Sequence, residues 1–490
     1  MLKCSRFCSF NLTRKFHASV IVTCSSTVKM SSTGDLARNA ALTPEILQRF
    51  RTNFYSEPKN CLAQNACTRT DPLDVCMSRK QLEETQHVFT HKVEIEGKPV
   101  TNQKTSGRCW LFAALNVMRV PFMKHYNLDE FEFSQAYLFF WDKIERCNFF
   151  LYNMVETARR GEEVTGRLVH FLLSDPATDG GQWDMFCSLV NKHGLMPKKC
   201  FPESYSCESS SRMNNILKSK LREYTKVLRD LISKGANDTA INECIENQME
   251  EVYRIVGICL GIPSETFTWE YYDKSKNYSS IGPITPLDFY IKHVKPHFNV
   301  DDKVCLVTDP RSTSPYGKAY TVDFLGNMVG GRRIIYNNQP VELLMKLCAD
   351  SIRAGDPVWF GCEIAKRFAS KLGIGDLDIH DYKLVFGVDV TVGLSKADRL
   401  VYGEGVMNHA MAFTAVSVGE DDKPTKFRVE NSWGDDRGEK GYLLMTAEWF
   451  KEFVLEIVVD RKLVSREVLE VFEQEPVVLP AWDPMGTLAH

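Results

Sequence analysis

The chain lacks any apolar run near the roughly 20 residues that a membrane-crossing helix needs. It lacks a Cys-x-x-Cys pair, an His-Glu-x-x-His motif and any clustered Cys/His spacing, so no metal site and no cofactor are expected. A charge excess is missing too: 60 basic and 63 acidic residues leave a formal net charge of −3. That near-balance does not favour a nucleic-acid partner. Neither internal repeats nor long low-complexity segments occur. The 16 cysteines are scattered through 490 residues, too thinly for a disulfide scaffold, and read as reduced and mostly buried thiols of an intracellular protein.

One more absence is local. No Asp or Glu occurs before Asp35, while Lys3, Arg6, Arg14, Lys15 and Lys29 do. Together with many Ser and Thr residues, this makes residues 1–34 a basic, acid-poor leader, read either as an organelle transit peptide or as an unused segment. Translation from Met30 would remove it and leave a cytosolic form.

What is present is an ordinary globular composition, 44% apolar and 25% charged, with length for two to four domains. Thr43-Pro44-Glu45 marks a helix start, with Ile46, Phe50 and Phe54 on one face. Lys92 to Glu96 alternates as a short strand does. Leu217, Leu221, Tyr224, Leu228 and Leu231, then Ile241, Ile245, Met249, Val252, Val256 and Cys259, recur at helical spacing on either side of Gly235, which predicts a helical hairpin. Such stripes serve as core far more often than as cofactor contacts. Strand candidates follow at Val358–Ile364, Met411–Val416 and Tyr442–Met445. Helices first and strands later imply an α+β fold. The proline-rich end from Pro476 suits neither a helix nor a central strand and reads as an extended tail.

Chemistry concentrates in three places. A loop at Asn102–Arg108 runs into an apolar helix with Cys109 at its start. A thiol attacks only as thiolate, and both a helix N-terminus and a nearby imidazolium favour that form. Singly, each of the 11 histidines is more readily structural than catalytic. His409 differs because it opens a strand of small and apolar residues. Asn431, soon after, has an amide oxygen able to fix the imidazole tautomer, and Trp433 has an indole able to shield that bond. Gln103, six positions before Cys109 (109 − 103 = 6), supplies an N–H for an oxyanion beside the Cys109 backbone N–H. One such donor is typically worth about 3 kcal/mol of transition-state stabilisation.

These blocks, Gln103…Ser106-Gly107-Arg108-Cys109-Trp110, Asn408-His409-Ala410 and Asn431-Ser432-Trp433-Gly434, resemble the signatures of the papain superfamily, in the same order. A fourth, Asp179-Gly180-Gly181-Gln182-Trp183-Asp184, resembles its glycine pair, where Gly180 and Gly181 meet the substrate backbone. The chain departs from the family in one respect. His409 lies 300 residues after Cys109 (409 − 109 = 300), against about 130–150 in papain-type enzymes, so some 150 residues are inserted. That insertion, with the tail from Leu479 to Gly486, resembles the bleomycin hydrolase branch from about residue 40 onward.

The resemblance implies a papain-like two-lobed core, helical on the left and β-rich on the right. Its expected divisions are a left lobe at 40–205, an inserted helical, oligomer-forming region at 206–345, a right lobe at 346–465 and a tail at 466–490 that enters the cleft. It implies Cys109, His409 and Asn431 as the catalytic residues and Gln103 as the oxyanion donor of a neutral cysteine aminopeptidase. It also implies cytosolic homohexamers with inward-facing sites, acting on peptides with a free N-terminus and on the bleomycin amide. A tail carboxylate, at Ala489 if His490 is trimmed, would hold the substrate's α-ammonium. Two readings stand against it: an inactive papain-like binding scaffold, which would have lost Cys109, His409 or Gln103, and a nucleic-acid-binding hexamer.

Overall fold

A computed structural model of the protein describes residues 41–390 and 393–488. The leader at 1–34 and the tail residues Ala489 and His490 fall outside them. The chain divides after residue 65 into two compact units. In the first, the Thr43 hydroxyl caps helix Pro44–Ser56 by accepting the Ile46 N–H at 3.3 Å, and no residue of that helix is buried.

In the second unit the strands are β1 (His91–Lys92), β2 (Phe267–Tyr272), β3 (Tyr278–Ile284), β4 (Lys303–Val307), β5 (Lys318–Val322), β6 (Tyr336–Asn338), β7 (Val358–Cys362), β8 (Phe368–Ala369), β9 (Ile374–Gly375), β10 (His409–Val418), β11 (Pro424–Glu430), β12 (Tyr442–Thr446), β13 (Val454–Asp460) and β14 (Val477–Leu479). β2 and β3 form a separate hairpin. The others join one twelve-stranded sheet in the order β14-β5-β6-β4-β13-β7-β10-β11-β12-β9-β8, with β1 also on β10.

Strand alternation divides the core. On β7, Trp359 faces the helical lobe, while Val358, Phe360 and Cys362 face the opposite side with helices Val341–Arg353 and Ala447–Phe453. On β10, Ala410 and Ala412 face the helical lobe, and their small side chains let helix Cys109–His125 pack close to the strand. Fourteen residues of that helix are buried, which makes it the central helix of the lobe.

The predicted hairpin is helices Ser211–Ser233 and Asp238–Leu260. Leu217, Leu221, Tyr224 and Leu228 of one, with Ile241, Ile245, Val252 and Val256 of the other, are buried against the long helix Gln135–Arg159. Leu231, Met249 and Cys259 sit at the half-exposed edge of the stripe.

Two expectations change. The strand at Lys92–Glu96 shrinks to His91–Lys92: Val93 still donates to the Thr414 carbonyl at 3.0 Å, but ion pairs of Glu94 with Lys124 and Glu96 with Arg428, both 2.9 Å, hold the following chain in bends. The span 206–345 is not helical throughout: after helix Asp238–Leu260 it carries β2 to β6 as well as short helical segments such as Pro286–Phe289. β4, β5 and β6 belong to the main sheet, and β4 lies beside β13 with all five of its residues buried. The strand Lys303-Val304-Cys305-Leu306-Val307 is too short to be told from a buried helical piece by periodicity. The proline-rich tail contributes β14, an edge strand parallel to β5.

Candidate active site

Cys109 is the first residue of helix Cys109–His125, with Arg108 at its N-cap. His409 is the first residue of β10, and Asn431 directly follows β11. β10 and β11 pair antiparallel, which carries the imidazole and the amide side by side. His409 Nε2 lies 2.9 Å from Asn431 Oδ1. The Ser432 backbone N–H donates to the same Oδ1 at 2.8 Å. A backbone N–H needs an acceptor, so that atom is the amide oxygen and His409 Nε2 carries the hydrogen. Nδ1 is then the basic nitrogen. The Trp433 ring lies 4.7 Å from the His409 ring, centroid to centroid, and covers this bond.

The backbone N–H groups of Ala410, Trp110 and Cys109 itself favour the ionised Cys109 sulfur. Cys109 is fully buried, and burial pushes its thiol up to about 12 against the pull of those three donors.

Gln103 is held at both ends of its amide. Nε2 donates to the Ser106 carbonyl at 2.7 Å, and Oε1 accepts the Ser432 hydroxyl at 2.7 Å. Its backbone N–H donates to the Ser432 carbonyl at 2.8 Å. The second hydrogen on Nε2 is the one available to an oxyanion. Ser432 thus fastens both Gln103 and Asn431, and its place inside the Asn431-Ser432-Trp433 block was the only hint of it in the sequence.

The glycine pair divides its duties. Gly180 spends its N–H on Thr178 Oγ1 at 3.3 Å and its carbonyl on Arg146 at 2.8 Å. At Gly181 a Cβ would lie 2.4 Å from the Trp110 ring, so glycine is required there by the tryptophan next to Cys109. Gln182, one residue on, donates from Nε2 to the Thr487 carbonyl at 2.8 Å. The tail therefore lies along the glycine edge. Beside it is a cavity of about 290 Å³ lined by Phe149, Phe171, Phe324, Met407 and Leu488. The substrate-binding expectation for Ala489 falls outside the described residues. Among these, no group of His, Cys, Asp and Glu is arranged to hold a metal ion.

Comparison with known proteins agrees along nearly the whole chain. The profile of the Peptidase C1-like family matches residues 41–486. Bleomycin hydrolase of Homo sapiens is 59% identical over 89% of this chain and 96% of its own length. Aminopeptidase C of Streptococcus thermophilus is 38% identical over 92% and 99%. The crystal structure of pepw from Lactobacillus rhamnosis superposes with a TM-score of 0.88 at 38% identity, covering 92% of this chain and all of that one. The matched residues run through nearly all of the described chain, and the chain belongs to the Peptidase C1-like family, with a papain-like two-lobed α+β fold.

Proposed function

We propose that this chain is a cysteine aminopeptidase working through an acyl-thioenzyme. His409 Nδ1 accepts the Cys109 proton, because a thiol pushed up to about 12 does not ionise unaided at neutral pH. The sulfur attacks the substrate carbonyl, and the oxyanion receives N–H groups from Gln103 and the Cys109 backbone. The C–N bond breaks and His409 returns its proton to the leaving amine. Water then attacks the thioester while His409 takes its proton, the C–S bond breaks, and the free amino acid leaves. Asn431 keeps the imidazole in the required tautomer throughout.

The observation that carries the exopeptidase reading is the hydrogen bond from Gln182 to Thr487, which supports a tail filling the cleft on the glycine side. A cleft filled there rejects internal peptide bonds, and a terminal carboxylate beyond Leu488 attracts an α-ammonium. The names of the relatives support the same reading and extend it to bleomycin-type amides.

The test compares a free-amine aminoacyl-coumarin with its N-acetylated twin. The expected result is cleavage of the free amine only, lost in Cys109→Ala. Equal cleavage of both would refute the tail's role and leave the thiol chemistry standing. Intact mass tests whether His490 is trimmed; full retention refutes Ala489 as the anchoring terminus.

The homohexamer is carried forward from the resemblance, and a light-scattering mass of one chain would overturn it. The form starting at Met30 is assigned to the cytoplasm, and residues 1–34 are assigned to mitochondrial targeting. A fluorescent protein fused to 1–34 that stays in the cytosol would refute the second assignment.

A further inference from the structure

We propose that Asp179 is a positioning residue for catalysis, tying the base of the helical hairpin to the loop that carries the oxyanion donors. The inference rests on the reading of Cys109 and Gln103 given above.

The Asp179 carboxylate is buried among four donors from three parts of the chain. Gly107 N–H, two residues before the nucleophile, reaches Oδ2 at 3.3 Å. The Ser210 hydroxyl also donates to Oδ2. Asn214 Nδ2 donates to Oδ1 at 2.7 Å. Lys143 Nζ, on the long helix Gln135–Arg159, lies 2.6 Å from Oδ1 and is itself fully buried. Ser210 and Asn214 stand at the cap and first turn of helix Ser211–Ser233, the first arm of the hairpin. Burial alone would push this carboxyl up, but the Lys143 ammonium and the hydrogen bonds from Lys143, Ser210 and Asn214 hold it well below the usual carboxylate range.

The same residue acts through its backbone. Its carbonyl accepts the Trp110 indole N–H at 2.8 Å, which sets the ring that Gly181 packs on. Two further ties run beside it. The Glu208 carbonyl accepts Thr105 N–H at 3.0 Å and the Thr105 hydroxyl at 2.9 Å. Glu203 pairs with Arg108 at 2.8 Å, and Arg108 Nε donates to the Ser106 hydroxyl at 2.8 Å. Residues 203–214 therefore clasp residues 105–108, and Asp179 is the charged centre of the clasp. None of the bonds just named ends on His409 or Asn431. Loosening the clasp should misplace the oxyanion donors while leaving thiolate formation intact.

That separation gives the test. Alkylation of Cys109 by iodoacetamide needs the thiolate and forms no oxyanion; amide hydrolysis needs both. For Asp179→Asn we expect kcat on the free-amine coumarin to fall 10- to 100-fold, KM to stay within about threefold, and the alkylation rate at neutral pH to stay within about twofold. Asp179→Glu should recover part of kcat. Ser210→Ala with Asn214→Ala, which keeps the Lys143 pair, should fold and show the same split at smaller size. Unchanged kcat in both variants, or equal losses of hydrolysis and alkylation in both, would overturn the proposal. A wild-type enzyme that is alkylated but hydrolyses neither substrate would instead count against the proposed function.

Discussion

Ser432 joins Gln103, the proposed oxyanion donor, to Asn431, the hydrogen-bond partner of His409, through its hydroxyl on Gln103 Oε1 and its N–H on Asn431 Oδ1. The amide of Gln103 is thereby set before substrate arrives, which is what makes a donor effective in stabilising charge that appears only in the transition state. Gln103→Ala should lower kcat on a free-amine coumarin by about 100- to 1000-fold, with KM little changed, since the interaction is made only in the transition state. Ser432→Ala leaves both groups in place and removes one neutral hydrogen bond worth about 1 kcal/mol, so roughly a fivefold fall is expected. Steady-state kinetics of the two variants check this, and equal losses would contradict the ranking.

At the scale of elements, the tail is fastened like a bound peptide. β14 adds to β5 as an edge strand. Arg311 meets Asp483 at 2.8 and 3.1 Å and is braced from behind by Asp309 at 2.8 Å. The Arg167 guanidinium lies 4.3 Å from the Trp482 ring centroid. Gln182 holds the last described turn at Thr487. Asp483→Asn removes one charge while keeping a side-chain oxygen for the Met485 N–H. Weakening a charge-assisted pair by about 1.5 kcal/mol raises the tail-out fraction roughly tenfold. The expected outcome is measurable cleavage of the N-acetylated coumarin, absent in the wild type, with little change in thermal midpoint. A strict exopeptidase phenotype in this variant would show that the strand pairing alone holds the tail.

Over the whole molecule, the helical lobe and the sheet meet across buried carboxyls. Burial pushes Glu456 on β13 up to about 8, and its Oε1 accepts the Cys305 thiol of β4 at 2.8 Å. Burial likewise raises Asp184 to about 6, although Arg332 Nε lies 3.0 Å away and opposes the rise. Both groups favour the protonated form in the folded state, so the native chain holds more protons than the unfolded chain above the ordinary carboxyl range. Their contribution is fully present below about pH 4 and is lost as pH rises through about 6 and then 8. Stability should fall between pH 5 and pH 8.5 by on the order of a few kcal/mol from these groups. Glu456→Gln should flatten the upper part of that fall. Urea midpoints at the two pH values measure it, and an equal slope in both proteins would refute the assignment.

The sequence by itself marked the candidate site: Cys109 before an apolar helix, His409 before a strand, and the Asn431 block are local signals, because nucleophile activation and ring orientation demand those residue types at element ends. It also determined the helical hairpin, since a buried stripe repeats at a helix's own period. The interior of the long helix Gln135–Arg159 hid its most informative residues. Asp142, Lys143 and Arg146 look like ordinary surface charges, yet they are buried because their partners arrive from 179–180 and from Asn327. β4, at five residues, carried no period to read. Only the tertiary structure decided that Gln182 ties the tail at Thr487, that Ser432 bonds both Gln103 and Asn431, and that Asp179 gathers donors from residues 107, 143, 210 and 214. A buried charge is stable only with partners from several distant segments, and proximity of that kind is a property of the fold rather than of any stretch of sequence.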